Sequence, residues 1–289
     1  MPASGTRFDI HLHLSKFWPE LRRNSYGPTL DFTTAGLLKE MDAQGIGQGL
    51  LIQINESPTV EENLEEGARL RRDSGGRLLR SSTVDPTRAP EEVRQAVERW
   101  ENEKDLVALK LFPGYQHFYP HDARLDPFYE FAHRRNLLVM VHQGDTMDPR
   151  GLIKYARPVE MDEVAVRYRD VRFVLCHMGN PWVEECAEVV YKNENVYADT
   201  SGLLPSPLNR HYPDAFLRTQ RRLTNALASI GGPDRILYGS DWPLESLAEA
   251  VRLIEGLPIP EADREMILGG NARTLLKGIA PSALSRAPA

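Results

Sequence analysis

Eight short segments rich in apolar and β-branched residues recur along the chain and predict eight strands. Most are apolar on both faces, which is typical of a parallel sheet covered by helices. The predicted strands are 8–14, 49–54, 78–86, 106–112, 137–144, 171–179, 195–202 and 235–243. Between them, amphipathic patterns predict helices at 90–104, 123–135, 161–169, 182–192, 213–230 and 245–256. The alternation predicts an α/β fold and suits a (β/α)8 TIM barrel, although a doubly wound open sheet would show the same pattern.

The length and composition fit one domain. A chain of 289 residues suits one large α/β barrel or two ordinary domains, but no low-complexity linker divides it. We therefore expect a single domain over residues 1–280 and a disordered C-terminal tail over 281–289. Two cysteines are too few for a disulfide framework, and the N-terminus lacks a signal-peptide pattern, so we expect a reduced, cytoplasmic protein.

The charge balance and the hydropathy limit the classes of partner. A formal net charge of −6 argues against nucleic acid, because phosphate binding needs clustered Lys and Arg. The sequence has no run of about 18 apolar residues, so we predict no membrane span.

Two histidines stand two positions apart in the first predicted strand. His11 and His13, in FDIHLHL, therefore point to the same face of that strand. Neutral imidazoles that converge in this way are good ligands for zinc or another first-row divalent ion. A His-x-His pair alone is weak evidence, because chance pairs are common.

Four more residues capable of acid, base or ligand chemistry stand at the C-terminal ends of other predicted strands. Lys110 ends the fourth strand, His142 the fifth, His177 the sixth and Asp241 the eighth. Parallel strands of a barrel end at one rim, so these side chains and the histidine pair should converge on one pocket. Each residue taken alone has a structural alternative: a core histidine, a helix-capping aspartate or a salt-bridged lysine. All these alternatives would have to coincide at the same end of five strands, and we therefore favour the pocket.

Three imidazoles and one carboxylate would make a catalytic metal site rather than a structural one, because they leave positions for water or substrate. A metal in such a site lowers the pKa of its bound water from about 15.7 to roughly 7 in the best cases. A nearby base then takes the proton or orients the hydroxide, and His177 and Asp241 are the candidates for that role.

The ordered motifs resemble the amidohydrolase superfamily over residues 8–278. They are DIHLHL, a histidine that ends the fifth strand, LCHMG, YGSDWP and the late GGNARTLLK. They are most similar to the amidohydrolase-related branch, which includes aminocarboxymuconate semialdehyde decarboxylase, resorcylate-type decarboxylases and pyrone-dicarboxylate lactonase. The resemblance implies a TIM barrel and, often, a homodimer.

The same resemblance implies a ligand set and a division of roles. One divalent metal, zinc by expectation with manganese as the alternative, would be bound by His11, His13, His142 and Asp241. His177 would be the acid/base residue that orients metal-bound water or substrate.

Lys110 leaves two interpretations open. Binuclear members of the superfamily place a carboxylated lysine at the end of the fourth strand, where it bridges two metals. With His142 and His177, Lys110 could complete such a site. The HMG and GSDWP motifs resemble the mononuclear branch, so we favour one metal, with Lys110 as a cation for a substrate anion or as a buried structural charge.

Residues expected on the catalytic face suggest a small anionic substrate. Trp18 and Arg23 lie on the loop after the first strand, and Trp242 follows the predicted metal aspartate. An aromatic side chain beside basic residues could hold an aromatic or unsaturated carboxylate. The alternative is that the charges only solvate the loops and that Trp242 only packs. Cys176 adjoins His177, so we predict that it points to the opposite, helix-facing side and is not a nucleophile.

Several reactions suit this site. Our leading hypothesis is hydrolysis, in which metal-activated water attacks a lactone, amide or ester of a small carboxylated substrate. The alternative is non-oxidative decarboxylation of an aromatic or unsaturated carboxylic acid, with His177 or Asp241 delivering a proton to carbon. Hydration of a carbon–carbon double bond is a third possibility. A non-catalytic barrel that retains the motif is disfavoured, because no expected residue is missing.

Overall fold

Eight parallel strands, paired in sequence order, form the centre of the molecule. The structure is a computed structural model that describes residues 6–17, 25–27, 29–54, 59–204 and 214–279. The strands are β1 (Arg7–Leu12), β2 (Ile46–Leu51), β3 (Leu78–Thr83), β4 (Leu106–Leu111), β5 (Leu138–Val141), β6 (Arg172–Leu175), β7 (Val196–Asp199) and β8 (Ile236–Leu237). Because each neighbouring pair is parallel, all the C-terminal ends lie on the same side.

Backbone hydrogen bonds between β1 and the residues after β8 close the sheet into a barrel. The amide nitrogen of Ile10 lies 2.9 Å from the carbonyl oxygen of Tyr238. The amide nitrogen of Asp241 lies 2.9 Å from the carbonyl oxygen of His11. The predicted (β/α)8 barrel is therefore confirmed, and the open-sheet alternative is wrong, because an open sheet would not join its first and last strands.

Helices follow the strands and cover the outside of the barrel. They are α1 (Thr34–Ala43), α2 (Val60–Asp73), α3 (Glu92–Trp100), α4 (Asp126–Arg134), α5 (Glu160–Arg167), α6 (Val183–Lys192), α7 (Ala215–Ile230), α8 (Leu247–Glu255), α9 (Glu261–Glu265) and α10 (Asn271–Lys277). The six helical patterns named above correspond to α3 through α8. The patterns did not predict α1, which buries only Gly36, Leu37 and Met41, or α2, whose sequence is highly charged.

Alternate residues of the strands face the interior of the barrel and form a buried apolar cluster. Phe8 and Ile10 of β1 belong to it, as do Leu138 and Met140 of β5. Full burial of one such side chain contributes about 1.5–3 kcal/mol to stability. α10 adds its own apolar residues to this cluster beside the starts of β1 and β8. The N-terminal end of the barrel is therefore filled, and the polar side chains lie at the other end.

The segment after β6 differs from its prediction. The strand ends at Leu175, and Cys176–Gly179 form a 3-10 turn in which His177 has a φ of 61° and Met178 a φ of 44°. Cys176 lies in the interior cluster with Val174, so its predicted helix-facing orientation is wrong. The prediction assumed that side chains continue to alternate between the two faces of an extended strand through His177. The left-handed backbone at His177 instead lets Cys176 and His177 both face the interior.

Two further expectations concern the C-terminal tail and membrane-spanning helices. The predicted tail, 281–289, lies outside the described residues. Within the described ranges, no helix combines the length and the apolar character that a membrane span requires.

Candidate metal centre and active site

Three of the four predicted ligands meet at the C-terminal end of the barrel. The ligand atoms of His11, His13 and Asp241 all lie within 4.8 Å of one another, and the three residues are buried. Asp241 Oδ1 lies 3.2 Å from His13 Nε2 and 3.6 Å from His11 Nε2. The two histidines share a face of the first strand, and the backbone bond between Asp241 and His11 brings the aspartate to them.

Hydrogen bonds on the far side of each imidazole determine which nitrogen faces the cluster. His11 Nδ1 lies 2.8 Å from Asp199 Oδ2, and His13 Nδ1 lies 3.0 Å from the carbonyl oxygen of Ile52. An ionised carboxylate and a carbonyl only accept, so both Nδ1 atoms carry protons. Burial lowers the pKa of His11 to about 3, so this ring is neutral. An imidazole that is protonated at Nδ1 has its ligating lone pair at Nε2, as a metal requires.

The cluster has the chemistry of a cation site. The Asp241 carboxylate faces the Nε2 atoms of His11 and His13, so potential ligand atoms of three residues point at one another. Within the described part of the chain, His11 Nε2 and Asp241 Oδ1 are buried without a hydrogen-bond partner. Since native proteins rarely leave such atoms unsatisfied, the donor set fits a divalent metal.

His142 lies beside this cluster without joining it. Its ring centroid is 5.0 Å from that of His177, and the Tyr115 ring packs against it at 4.8 Å. Its Nε2 lies 2.9 Å from the carbonyl oxygen of Asp145. Nε2 therefore donates, which leaves the lone pair on Nδ1. Burial lowers the pKa of His142 well below its ordinary value, so the ring is neutral and His142 remains a predicted ligand.

His177 lies between His142 and His11, with its ring centroid 4.9 Å from that of His11. Its backbone nitrogen donates to Asp199 Oδ1 at 2.9 Å, and its Nδ1 lies 2.8 Å from Ser201 Oγ. Burial lowers the pKa of His177 as well. The left-handed φ of a histidine is an uncommon conformation that needs support, which the bond to Asp199 supplies.

Lys110 reaches the bottom of the same site from β4. Its Nζ lies 2.9 Å from Cys176 Sγ and 5.1 Å from the centre of the Phe112 ring, and the residue is completely buried. Burial raises the pKa of the Cys176 thiol, so the sulfur is a neutral partner. The contact brings the Lys110 amine to the site, and its role as a cation or as a metal-bridging carbamate stays a prediction.

These groups open into one cavity of about 1160 Å³ on the catalytic face. Arg88, Arg218 and Arg222 are among its lining residues. Arg222 hydrogen-bonds Asn180 Oδ1 at 3.1 Å and the Pro181 carbonyl oxygen at 2.8 Å, so it braces the wall. Asp85, Asp145, Asp148 and Glu245 also line it, so the cavity combines the buried ligand cluster with charged side chains of both signs.

The predictions that Trp18, Arg23 and Trp242 contact the substrate have different outcomes. Trp242 is fully buried, stacks on Phe32 with centroids 5.7 Å apart and is not among the described residues that line the cavity. The structure therefore fits the alternative that Trp242 only packs, rather than the predicted substrate contact. Trp18 and Arg23 lie outside the described residues.

Three residues of the site were not assigned a role from the sequence: Asp199, Ser201 and Gln143. Asp199 ends β7 with its side chain inside the barrel, a placement that the strand alternation in YADTSG could have indicated. Gln143, next to His142, is buried at the cavity, and both its side-chain polar atoms lack partners among the described residues. No sequence pattern pointed to Ser201 or Gln143, because their importance depends on contacts between distant strands.

Comparisons with known proteins identify similar sequences. A family model described as amidohydrolase matches residues 8–278. The gamma-resorcylate decarboxylase of Polaromonas sp. (strain JS666 / ATCC BAA-500) is 34% identical over 131 residues, covering 38% of this chain and 36% of that protein. The gamma-resorcylate decarboxylase of Rhodococcus jostii (strain RHA1) is 28% identical over 196 residues, covering 57% of this chain and 54% of that protein. These matches thus span from about a third to about half of the relatives' length.

Similar solved structures share the fold over almost the whole chain. An uncharacterized TIM-barrel protein from Bordetella bronchiseptica has a TM-score of 0.73 and 22% identity, covering 94% of this chain and 99% of that one. A dihydroxybenzoic acid decarboxylase from Polaromonas sp. JS666, with bound manganese and the inhibitor 2-nitroresorcinol, has a TM-score of 0.69 and 20% identity, covering 94% and 97%. A probable 2-pyrone-4,6-dicarboxylic acid hydrolase from Acinetobacter baumannii has a TM-score of 0.64 and 16% identity, covering 93% and 98%.

Proposed function

The chain belongs to the amidohydrolase family, and from this premise we propose that it is a metal-dependent decarboxylase. The proposed substrate is a small aromatic carboxylic acid with a neighbouring hydroxyl group. The observation that carries the proposal is the sequence similarity to two gamma-resorcylate decarboxylases. From the sequence alone, hydrolysis was the leading hypothesis and decarboxylation the alternative, and these relatives favour the alternative. The hydrolase among the structural neighbours is 16% identical and supports the fold alone.

The metal centre would hold the carboxylate of the substrate. His11, His13, Asp241 and His142 are the residues that would bind one divalent ion, and Lys110 adds a buried positive charge. When bound, the ion supplies a Lewis acid that neutralises the substrate anion and stabilises charge developing on the ring. Manganese in one structural neighbour supports manganese, whereas a donor set of three imidazoles and one carboxylate supports the zinc first expected, so both metals are candidates.

His177 is the residue that we assign to proton transfer, at Nε2. Because the ring is neutral, it can accept the hydroxyl proton of the substrate and deliver it to the ring carbon that bears the carboxylate. The bond to the carboxylate then breaks, its electron pair restores the aromatic ring, and carbon dioxide leaves. Asp241 remains ionised through the reaction and serves as a ligand rather than as the acid.

The test is an assay of carbon dioxide release by purified protein reconstituted with manganese or zinc. The panel contains 2,6-dihydroxybenzoate, its mono-hydroxylated analogues, benzoate and, in a pH-stat, the lactone 2-pyrone-4,6-dicarboxylate. We expect carbon dioxide from hydroxybenzoates only, none after chelation and none from a His177→Asn variant that retains its metal. Lactone hydrolysis without carbon dioxide release would overturn the proposal in favour of the hydrolase.

Metal content per chain, measured by mass spectrometry, tests the ligand set independently of any substrate. We expect one ion per chain in the wild type and less than a tenth of that in His11→Ala. A content of two ions per chain would contradict the mononuclear site and would favour Lys110 as a carboxylated bridge.

A further inference from the structure

One buried hydroxyl group connects the predicted acid/base residue to a predicted metal ligand. Ser201 Oγ donates to Asp199 Oδ1 and lies 2.8 Å from His177 Nδ1 and 3.0 Å from His11 Nδ1. Ser201 and Asp199 are both completely buried. Burial keeps bulk solvent away from these contacts, so the four groups must satisfy one another.

The protons in this network have only one consistent arrangement. Both oxygens of Asp199 act as acceptors, because Oδ1 accepts from the backbone amides of His177 and Ser201 and Oδ2 faces His11 Nδ1. An ionised carboxylate only accepts, so the single hydroxyl hydrogen of Ser201 points to Asp199. The serine oxygen then has only lone pairs left for the two imidazoles. His177 Nδ1 must therefore donate to the serine oxygen, whereas the Nδ1–H of His11 points to the nearer Asp199 Oδ2 at 2.8 Å. In each neutral ring the lone pair then lies on Nε2.

We propose that Ser201 and Asp199 are positioning residues that hold His177 in the Nδ1–H tautomer, with Nε2 available to the substrate. The inference rests on the proposed function only in naming the reaction that Nε2 serves. Asp199, which accepts the Ser201 hydroxyl hydrogen, holds the same tautomer of His11 through its Oδ2. The Ser201–Asp199 pair therefore orients both the proton-transfer residue and a predicted metal ligand.

The backbone around the relay supports this role. Asp199 Oδ1 also accepts from the amides of His177, at 2.9 Å, and Ser201, at 3.1 Å, so one carboxylate holds the ring and the left-handed turn that carries it. Gly202 has a φ of 63°, and a Cβ built on it would lie 2.8 Å from His177 Nδ1. Only glycine therefore fits between the β7 loop and the imidazole.

Loss of the hydroxyl group should affect turnover rather than substrate binding. In Ser201→Ala, His11 keeps its bond to Asp199, so its metal is retained, whereas His177 Nδ1 loses its acceptor. The neutral ring is then free to place its proton on Nε2, which is the wrong tautomer for accepting a proton there. Residues that orient a catalytic or ligating histidine typically affect activity or affinity by about 10–100-fold. We expect kcat to fall by about that factor, with KM changed less than about threefold.

The tautomer can be measured directly, without substrate. Nitrogen-15 NMR of the imidazoles in zinc-loaded protein distinguishes a protonated Nδ1 from a protonated Nε2. We expect His177 as the Nδ1–H tautomer in the wild type and in Ser201→Thr, and as a mixture or the opposite tautomer in Ser201→Ala. Ser82→Ala is the matched control, because Ser82 is a buried hydroxyl that bridges Trp100 and Asn63 away from the site.

Two results would overturn the inference. One is a wild-type His177 protonated at Nε2, which needs no variant and so does not depend on whether Ser201→Ala folds. The other is an unchanged tautomer in a folded Ser201→Ala protein that retains its metal. A failure of the decarboxylase proposal would leave both NMR results intact, so the two failures are distinguishable.

Discussion

Replacement of Asp241 by asparagine should have opposite effects on the metal-free and metal-loaded protein. The Asp241 carboxylate lies 3.2 Å from His13 Nε2 and 3.6 Å from His11 Nε2, and His11 Nε2 and Asp241 Oδ1 have no hydrogen-bond partner among the described residues. Each buried unsatisfied group costs about 1–3 kcal/mol. Metal binding should therefore recover about 2–6 kcal/mol, or about 3–10 °C in Tm for a chain of this size.

The asparagine side chain in this variant carries an amide N–H that can donate to an imidazole lone pair, which a carboxylate cannot. One such hydrogen bond contributes about 0.5–1.5 kcal/mol net. Position 241 also has a left-handed φ of 64°, a conformation in which asparagine is well tolerated. We therefore expect metal-free Asp241→Asn to unfold about 1–3 °C above the metal-free wild type, and to gain almost nothing from metal.

The assay is differential scanning calorimetry at pH 8, with and without a chelator, on the wild type, Asp241→Asn and an exposed control, Asp170→Asn. A pH of 8 limits competition between protons and the metal for the imidazole nitrogens. The control should follow the wild type in both states. A metal-dependent rise in Tm that survives in Asp241→Asn would refute the ligand assignment. A metal-free variant clearly less stable than the wild type would refute the reasoning about unsatisfied acceptors.

Three further substitutions test other parts of the site. His177→Asn should lower turnover by about 10²–10⁴-fold while metal content stays at the wild-type level, and loss of the metal would contradict its assignment to proton transfer. Lys110→Met removes a buried amine whose near neighbour is the neutral Cys176 thiol, so Tm should stay the same or rise. The value of kcat/KM for carboxylates should fall, and unchanged kinetics would show that Lys110 is purely structural. Gln143→Leu removes an amide without partners among the described residues, so the free energy of unfolding should change by less than about 1 kcal/mol while KM rises. A large loss of stability in urea denaturation would show that the amide has a structural partner.

The fold was largely predictable because the strands of a covered parallel sheet are apolar on both faces. Runs such as 106–112 and 137–144 therefore stand out against the amphipathic helices between them. α2 escaped prediction because its exposed face is densely charged, and only Asn63, Leu64, Glu66, Gly67 and Leu70 are buried. Its helical state depends on packing against β3, which a local pattern does not contain.

The convergence of the site was predictable for a topological reason. Residues that end parallel strands meet at one rim, so His11, His142, His177 and Asp241 could be assigned to one pocket from their positions alone. Orientation within the pocket was not predictable. The inward position of Cys176 follows from the left-handed turn at His177, and Trp242 packs inward because of neighbours on another loop.

Two site residues have a strained, left-handed backbone, which explains why the directions of their side chains depend on tertiary contacts. Among the described residues, left-handed φ angles outside glycine occur at Asn136, Met178, His177 and Asp241, and the last two are site residues. Each of these two is held by a hydrogen bond from its own amide to a distant strand, His177 to Asp199 and Asp241 to the His11 carbonyl oxygen. Such bonds need no metal, so the closed barrel holds the ligands and the acid/base residue before any ion arrives. Substitutions that break them should therefore reduce metal affinity and turnover at a smaller cost in stability than a comparable change in the apolar interior.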